Sequence, residues 1–185
     1  MPPELLQKQE LFSFLYLIDI DLAQRCRNQK CPHCGGTLHQ SNYARATWGA
    51  PKNVPEEQKL RQSFCCSREG CRKRTKPPSC IYMGRKVYWA GIVLVVTGLR
   101  QVRADKESTI RAMRMFGISY KTVLKWSEWF REIFPNSTEW KRIRGRVSAL
   151  VRSDELPRSL LDDFIRIKDS VESGLIECLT FLATG

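Results

Sequence analysis

Apolar residues recur at helical spacing near the start of the chain. Between residues 4 and 27 they fall every three or four positions, with charged and amide side chains between them: Leu11, Leu15, Ile18, Leu22 and Cys26. This spacing places the apolar residues on one face of an α-helix. Residues 1–27 are therefore predicted to form an N-terminal amphipathic helix.

The pattern changes in residues 28–83, which carry many turn formers and little helical periodicity. Short strands are predicted at 37–40 and 62–65, and the glycine and prolines of residues 48–58 favour an exposed loop between them. Two consecutive prolines at positions 77 and 78 then interrupt regular structure, because proline has no backbone N–H to donate. This segment is predicted to be a small β domain.

Helical periodicity returns from residue 84 onward. Four helices are predicted in a helical domain spanning residues 84–150, at 86–99, 107–116, 120–133 and 138–149. Ser108, Ser119 and Ser137 stand near the starts of the last three helices, where a hydroxyl can cap the first turn. Residues 151–185 read as a C-terminal tail of one or two helices. The fold class is thus mainly α with a small β region.

Charge is distributed unevenly along the 185 residues, whose formal net charge is +12. Residues 25–87 carry fourteen Lys and Arg against three acids, and residues 100–152 carry thirteen against five. Both ends of the chain are acidic. A cationic centre attracts polyanions, and nucleic acid is the commonest such partner.

The eight cysteines raise the question of disulfides against metal ligands. Leu11 to Ile20 is a poor secretory signal, because Asp19 interrupts it and no basic segment precedes it. The longest apolar run, residues 87–99, is shorter than the roughly 20 residues that a bilayer requires. We therefore expect a cytoplasmic protein without a membrane partner, in which paired cysteines bind metal rather than each other.

Four cysteines have the spacing of a zinc ribbon. Cys31 and Cys34 are separated by two residues and followed by two glycines, and Cys66 and Cys71 form a second close pair with Gly70 before the last thiol. Four thiolates are a common ligand set of structural Zn²⁺, and such a closed site leaves no position for a catalytic water. Residues 28–83 are accordingly predicted to be a structural zinc-ribbon domain.

The third ligand is ambiguous, because Cys65 and Cys66 are adjacent and side chains on a strand alternate between its two faces. Cys66 is favoured because it lies nearer the turn, and Cys65 is then expected to face the small core beside Phe64. His33 is expected to face solvent, although it could replace a thiolate. The remaining cysteines are expected to be buried apolar residues: Cys26, Cys80 and Cys178.

Residues 107–133 have the composition of a helix-turn-helix. Gly117 can end one helix, Ser119 can cap the next, and apolar side chains can pack between the two: Ile110, Met113, Ile118, Val123 and Trp126. The same spacing also occurs in ordinary helical bundles, where these residues are simply core. The basic and hydroxylated outward positions of the second helix favour the DNA-binding interpretation.

Gly117, Ile118, Ser119, Thr122, Val123, Lys125 and Trp126 together resemble the turn and recognition helix of insertion-sequence transposases and related bacterial DNA-binding proteins. The order of a cysteine ribbon followed by a helix-turn-helix is also similar to small zinc-ribbon proteins encoded with bacterial mobile elements. The resemblance covers about twenty residues. It implies that Ser119, Tyr120, Lys121 and Lys125 face the major groove, with Thr122 near a phosphate and with Arg111 and Arg114 near the DNA backbone.

Two further basic clusters are candidate phosphate contacts. One follows Trp140 and comprises Lys141, Arg142, Arg144 and Arg146; the other follows the second cysteine pair and comprises Arg72, Lys73 and Arg74. A solvated helix face fits the first cluster nearly as well, and the second cluster is short enough to be plain solvated surface.

No catalytic motif accompanies these features. The sequence has no His-Glu-x-x-His, phosphate loop or nucleophile elbow, and residues 25–152 hold eight acids where a strand-transfer nuclease needs a carboxylate-bearing fold of its own. We therefore expect a non-enzymatic, zinc-stabilised protein that binds specific double-stranded DNA as an accessory or regulator in transposition, recombination or transcription. A homodimer or a recombinase or transposase partner is possible. The alternative is a zinc-ribbon module that binds a protein or an RNA.

Overall fold

The computed structural model describes residues 2–101 and 106–185 and is mainly helical. Residues 102–105, which fall within the predicted helical domain 84–150, lie outside the described part. The helices are α1 (Gln9–Asn28), α2 (Ala90–Arg100), α3 (Lys106–Met115), α4 (Tyr120–Glu128), α5 (Thr138–Ile143), α6 (Arg158–Ile167) and α7 (Val171–Thr184). The strands are β1 (Leu38–Gln40), β2 (Tyr43–Ala44), β3 (Leu60–Arg61), β4 (Phe64–Cys66) and β5 (Arg74–Thr75).

The strands form two small antiparallel sheets. One has the order β1-β4-β5, with Leu38 opposite Cys66 and Phe64 opposite Thr75. The other pairs β2 with β3. Both predicted strands are present within two residues of their expected bounds, whereas the three two-residue strands carry too little periodicity to be predicted.

A small apolar cluster lies beneath the three-stranded sheet. It contains Leu38 from β1, Phe64 and Cys66 from β4, Cys31, and Ala23 from α1. Cys26 packs against this cluster from the C-terminal half of α1. The sheet therefore packs against the C-terminal half of α1.

The main core is separate and much larger, and it draws on every helix. Helix α2 is buried along nearly its whole length, and the N-terminal half of α1 contacts the residue that precedes it, with the Phe12 and Trp89 rings 5.6 Å apart. The C-terminal tail contributes fully buried residues as well: Leu160, Leu175, Cys178 and Leu179. The N-terminal helix and the tail thus share one core with the predicted helical domain.

The predicted helix at 86–99 was wrong at its start. Residues 86–89 are not helical; there the Trp48 N–H donates to the Val87 carbonyl at 2.9 Å and the Trp89 N–H donates to the Trp48 carbonyl at 3.4 Å. Helix α2 begins only at Ala90. The backbone of residues 87–89 therefore bonds to the loop at Trp48 and does not form the first turn of the predicted helix.

Two other predicted helices are not α-helical to their predicted ends. The helix at 120–133 is α-helical to Glu128 and continues as a wider π turn over Trp129–Ile133. The helix at 138–149 ends at Ile143 and gives way to a 3-10 turn, Arg144–Arg146. Gly145 weakens helix propensity there, and Arg144 donates to the Val151 carbonyl at 2.9 Å, which fixes the returning chain.

The loop at residues 48–58 was predicted to be exposed, and this is only partly correct. Trp48 is 58% exposed, but Val54 is 4% exposed and belongs to the main core. Ser13 of α1 also donates to the Gln58 side chain at 2.9 Å. The loop is held against the helices because Val54 is buried in the main core and Gln58 is hydrogen-bonded to α1.

A buried carboxyl group joins α1 to the segment that connects the sheets to α2. Asp19 is 2% exposed and accepts hydrogen bonds from the Ser79 hydroxyl and from the Cys80 N–H, the latter at 2.6 Å. Burial raises the pKa of the Asp19 carboxyl to about 6, although these hydrogen bonds oppose the shift. The junction between the two regions therefore contains a carboxyl group that titrates in an accessible pH range.

Among the helices in the described ranges, none has both the length and the hydropathy to cross a membrane.

Candidate metal centre and candidate nucleic-acid interface

The four predicted ligands converge. The sulfur atoms of Cys31, Cys34, Cys66 and Cys71 all lie within 4.8 Å of one another. The Cys31 and Cys71 sulfurs are 3.9 Å apart, and the Cys34 and Cys66 sulfurs are 3.4 Å apart. Four sulfurs about 2.3 Å from a tetrahedral ion are about 3.8 Å from one another. The cluster therefore has the size of a tetrahedral metal site.

The first cysteine pair is shaped by its two glycines. Gly35 has a φ of 69°, and its N–H donates to the Cys31 carbonyl at 2.8 Å. A Cβ atom at Gly36 would lie 2.9 Å from the Cys66 sulfur. The turn also aims the N–H groups of His33 and Cys34 at the Cys31 thiol, and these hydrogen bonds lower its pKa to about 7. The turn thus favours the thiolate form of Cys31.

The second pair lies on the turn between β4 and β5. Cys66 ends β4, Gly70 has a φ of 82°, and the Cys71 N–H donates to the Arg68 carbonyl at 3.1 Å. The Cys66 N–H donates to the Lys73 carbonyl at 3.1 Å. The two sheet strands therefore hold both ends of the turn that presents the thiols.

Cys66, not Cys65, belongs to the cluster, as the sequence favoured. The expected position of Cys65 beside Phe64 in the small core was wrong. Its thiol donates to the Arg72 carbonyl at 3.4 Å, and the residue is half-buried on the outer side of the sheet between His39 and Arg74. Because Cys66 and Phe64 both face the core, alternation along β4 directs Cys65 outward.

His33 and the three remaining predicted packing cysteines lie outside the four-cysteine cluster. His33 is exposed, and within the described ranges the metal-compatible cluster consists of the four cysteines. Cys80 and Cys178 are buried in the main core, as expected, while Cys26 is half-buried against the small cluster. These three thiols are structural packing residues.

Helices α3 and α4 are joined by a tight turn, Phe116–Ser119, and are called the helix pair below. Gly117 has a φ of 60°, and the Ile118 N–H donates to the Met113 carbonyl at 2.8 Å, which closes the end of α3. The Ser119 hydroxyl accepts the Thr122 N–H at 3.2 Å and caps α4. Both predicted turn residues thus have the expected backbone roles.

Two other predicted caps differ in outcome. Ser137 accepts the Trp140 N–H at 3.1 Å and caps α5, as predicted. Ser108 does not cap α3, because the helix is already formed at Lys106. Ser108 lies within its first turn.

The inner face of the helix pair packs on α2. Ala112, Val123 and Trp126 are buried, as are Phe116 and Ile118 in the turn region. Ile110 was expected on this face, but it is 37% exposed, because Ala112 and Met113 occupy the inward positions of α3. The helix pair is therefore firmly attached to the main core.

The outer face of α4 is accessible and carries two lysines, together with Leu124, which is 40% exposed. Tyr120 is 59% exposed, and the Arg100 guanidinium lies 4.8 Å from the centre of its ring. Lys121 and Lys125 are exposed one turn apart, and Thr122 is half-buried with its hydroxyl 2.9 Å from the Ser119 hydroxyl. On α3, Arg114 is exposed, and Arg111 pairs with Glu4 at 2.9 Å. These side chains form one candidate interface.

The basic cluster after Trp140 has several intramolecular contacts. Arg142 donates to the Gly185 carbonyl, Arg144 donates to the Val151 carbonyl, and Arg146 stacks 5.5 Å from the Phe181 ring. Lys141 is exposed. Arg142 and Arg144 therefore help to hold the C-terminal region against α5.

The cluster after Cys71 is similarly divided. Arg74 donates to the Ser63 hydroxyl at 3.1 Å and lies 5.4 Å from the Tyr43 ring. Arg72 and Lys73 have exposed side chains. Their carbonyls accept hydrogen bonds from Cys65 and Cys66, so their backbone supports the cysteine turn.

Sequence reasoning missed the contribution of Trp48 and Tyr88. The Tyr88 hydroxyl donates to the Gly117 carbonyl at 3.1 Å, and the Trp48 ring packs against Tyr88. No periodicity or motif connects these positions with the turn.

Comparisons with protein-family models, curated proteins and solved structures find no match.

Proposed function

We propose that the protein binds specific sequences in double-stranded DNA through the helix pair. The observation that carries this proposal is α4, which is capped by Ser119 and presents Lys121 and Lys125 outward while Val123 and Trp126 anchor its other face. In a helix-turn-helix, the second helix enters the major groove with its N-terminal residues on the base edges. Tyr120 and Lys121 occupy those positions here.

Charge supports the same partner. A protein with a formal net charge of +12 is drawn to the phosphate backbone at low salt, whatever the sequence of the DNA. Arg114, Arg72, Lys73 and Lys141 have exposed side chains that could meet phosphates. Arg142 and Arg144 are weaker candidates than the sequence suggested, because their guanidinium groups hold the C-terminal region.

We further propose that the cysteine cluster binds one Zn²⁺ with a structural role. Four thiolates suit zinc, and the sulfur positions leave room for an ion with no open coordination site. When bound, zinc would cross-link the turn after β4 to the turn that precedes β1. In this proposal the chain has no catalytic activity.

The turn and α4 contain the residues that resemble mobile-element proteins. The proposed biological role rests on this resemblance. The protein would act as an accessory or regulator of a bacterial mobile element, in transposition, recombination or transcription. Its partner would be a recombinase or transposase, or a second copy of itself. Selected DNA sites would distinguish these cases, because a palindrome implies a dimer.

The test is a binding titration with a duplex recovered from a random library. The double variant Lys121→Ala/Lys125→Ala should lose base preference and weaken binding by about tenfold or more, since each good base contact contributes about 1–3 kcal/mol. Lys168→Ala is the matched control, because this lysine is exposed near the end of α6 and pairs with Glu177. Absence of duplex binding at low salt, or retention of base preference in the double variant, would refute the proposal.

One observation favours the alternative of a protein-binding module. Three large apolar side chains of α1 are exposed along one stripe: Phe14 at 50%, Leu17 at 63% and Ile20 at 38%. Exposed apolar patches often mark protein contacts. If Leu17→Glu abolished binding to a cellular protein while duplex binding was absent in the unaltered protein, this alternative would replace the first.

A further inference from the structure

The loop that follows β2 returns to the helix pair and is fixed there by its backbone. Residues 45–50 are called the Trp48 loop. Trp48 forms a parallel bridge with Tyr88, through the two backbone hydrogen bonds that link it to Val87 and Trp89. Arg45 adds a hydrogen bond to the Lys86 carbonyl at 3.2 Å. The loop is therefore attached to the segment that immediately precedes α2.

Aromatic contacts carry this attachment to the turn of the helix pair. The Trp48 and Tyr88 rings are 5.6 Å apart and nearly perpendicular, and the Tyr88 and Trp126 rings are 5.3 Å apart in the same manner. The Tyr88 hydroxyl donates to the Gly117 carbonyl. Trp48 is thus separated from the turn and from α4 by a single side chain.

Gly49 brings the loop into direct contact with the helices. Its φ is 78°, and a Cβ atom there would lie 2.2 Å from the Ile92 side chain and 3.3 Å from the Phe116 ring. A larger residue would displace the loop, because both neighbours belong to the main core. The close approach of Gly49 to Phe116 holds the adjacent Trp48 near the turn of the helix pair.

The indole of Trp48 is exposed despite this rigid mounting. The other four tryptophans are buried or half-buried, whereas Trp48 is 58% exposed. Within the described ranges, no hydrogen bond to a protein group involves its indole N–H. An aromatic donor on a fixed backbone can bind a partner with little loss of conformational entropy.

We propose that the Trp48 loop acts as a second DNA-contacting element beside the helix pair, with the Trp48 indole N–H donating to a phosphate oxygen. This inference rests on the proposed function. When the N-terminus of α4 enters the major groove, the turn at Gly117 comes close to the DNA backbone, and the neighbouring indole lies next to it. A phosphate contact positions the protein without reading bases. The predicted contribution of Trp48 is therefore affinity for all duplexes, not base preference.

The first experiment compares Trp48→Phe with the unaltered protein in duplex titrations. Phenylalanine keeps a ring against Tyr88 and removes the N–H, so the loop is retained and the donor is lost. Binding to the selected duplex and to a scrambled duplex should both weaken by about tenfold or more, in line with the loss of one hydrogen bond to a charged group. Ile167→Ala, which removes a side chain 60% exposed in the C-terminal region, should leave both affinities unchanged.

The second experiment measures iodide quenching of tryptophan fluorescence with and without the duplex. Because Trp48 is the most exposed of the five tryptophans, it should account for most of the quenchable emission, and Trp48→Phe should remove that fraction. Saturating duplex should protect the same fraction in the unaltered protein.

These experiments separate the two proposals. Duplex binding that is sensitive to Lys121 and Lys125, together with undiminished affinity in Trp48→Phe or undiminished quenching of Trp48 in the complex, would overturn the inference and leave the proposed function standing. Absence of any duplex binding by the unaltered protein would overturn both.

Discussion

The cysteine-containing sheet and the helical region are stabilised in different ways. The small cluster under the sheet consists of Ala23, Cys31, Leu38, Phe64 and Cys66, and two of these five residues are themselves members of the thiol cluster. The main core contains Trp89, Trp140 and many fully buried aliphatic side chains. One region can rely on apolar burial, whereas the other cannot.

This difference indicates what a metal bound at the cysteine cluster would contribute to the fold. Segments too short to bury much apolar surface usually need a disulfide, a metal or a partner to fold. The strands of the sheet have two or three residues each, so hydrogen bonding between them adds little. The sheet is attached to the helical region through α1, whose Ala23 lies in the small cluster and whose Asp19 accepts the Cys80 N–H.

Removal of one clustered thiol should have the largest effect on the cysteine-containing sheet. Cys66→Ala should abolish metal binding and unfold residues 31–75, a loss on the order of 5 kcal/mol or more, since structural zinc sites contribute about 10 kcal/mol of binding free energy. The helices should persist. Native mass spectrometry and backbone amide NMR spectra would report the two effects separately.

Cys65→Ala is the matched control for this prediction. The Cys65 thiol lies on the other side of β4. The hydrogen bonds described for it are to the Cys66 and Arg72 carbonyls. The variant should keep one Zn²⁺ per chain and a dispersed amide spectrum. If Cys65→Ala lost the metal and Cys66→Ala kept it, the ligand set would be wrong.

The converse change weakens the helical region and spares the sheet. Leu160 of α6 is fully buried in the main core, and Leu160→Ala should lower the free energy of unfolding by about 3 kcal/mol through loss of apolar contact and a residual cavity. Metal content should remain one ion per chain. Chemical denaturation followed by circular dichroism measures the first quantity, and a loss of metal in this variant would contradict the separation of the two regions.

A smaller effect is expected at the junction between the regions. Because burial raises the pKa of Asp19 from 3.8 to about 6, the folded state binds more protons than the unfolded state between these values. The contribution of Asp19 to stability is therefore present at low pH and is lost as the pH rises through 6. The free energy of unfolding of the unaltered protein, relative to Asp19→Asn, should fall by on the order of 2–3 kcal/mol between pH 4 and pH 7.

Denaturation of both proteins across this pH range checks the prediction at Asp19. A constant difference between them would show that the carboxyl group does not titrate as its burial implies. A difference that grows with pH would reverse the sign of the argument.

The cysteine cluster could be predicted because local spacing determines it. Two close cysteine pairs with glycines on their turns specify two thiol-bearing turns, and alternation along a strand decides between Cys65 and Cys66 once the strand is placed. The turn of the helix pair could be predicted for the same reason. Gly117 and Ser119 satisfy local backbone requirements that other residues meet poorly.

Features that depend on distant contacts could not be predicted. Val54 is buried and Trp48 replaces the first turn of the helix expected at residue 86, yet both lie in a segment rich in turn formers. Arg142 and Arg144 looked like free cations in the sequence, although their partners are carbonyls of Gly185 and Val151. Spacing along the chain carries no information about such partners.

Duplex selection from a random library tests whether the helix pair reads DNA, as proposed, while the cysteine cluster is structural. The zinc-loaded protein should enrich one sequence motif, and Lys121→Ala/Lys125→Ala should retain the metal but lose the motif. Failure of the unaltered protein to enrich any duplex, or enrichment of the same motif by the double variant, would contradict the claim.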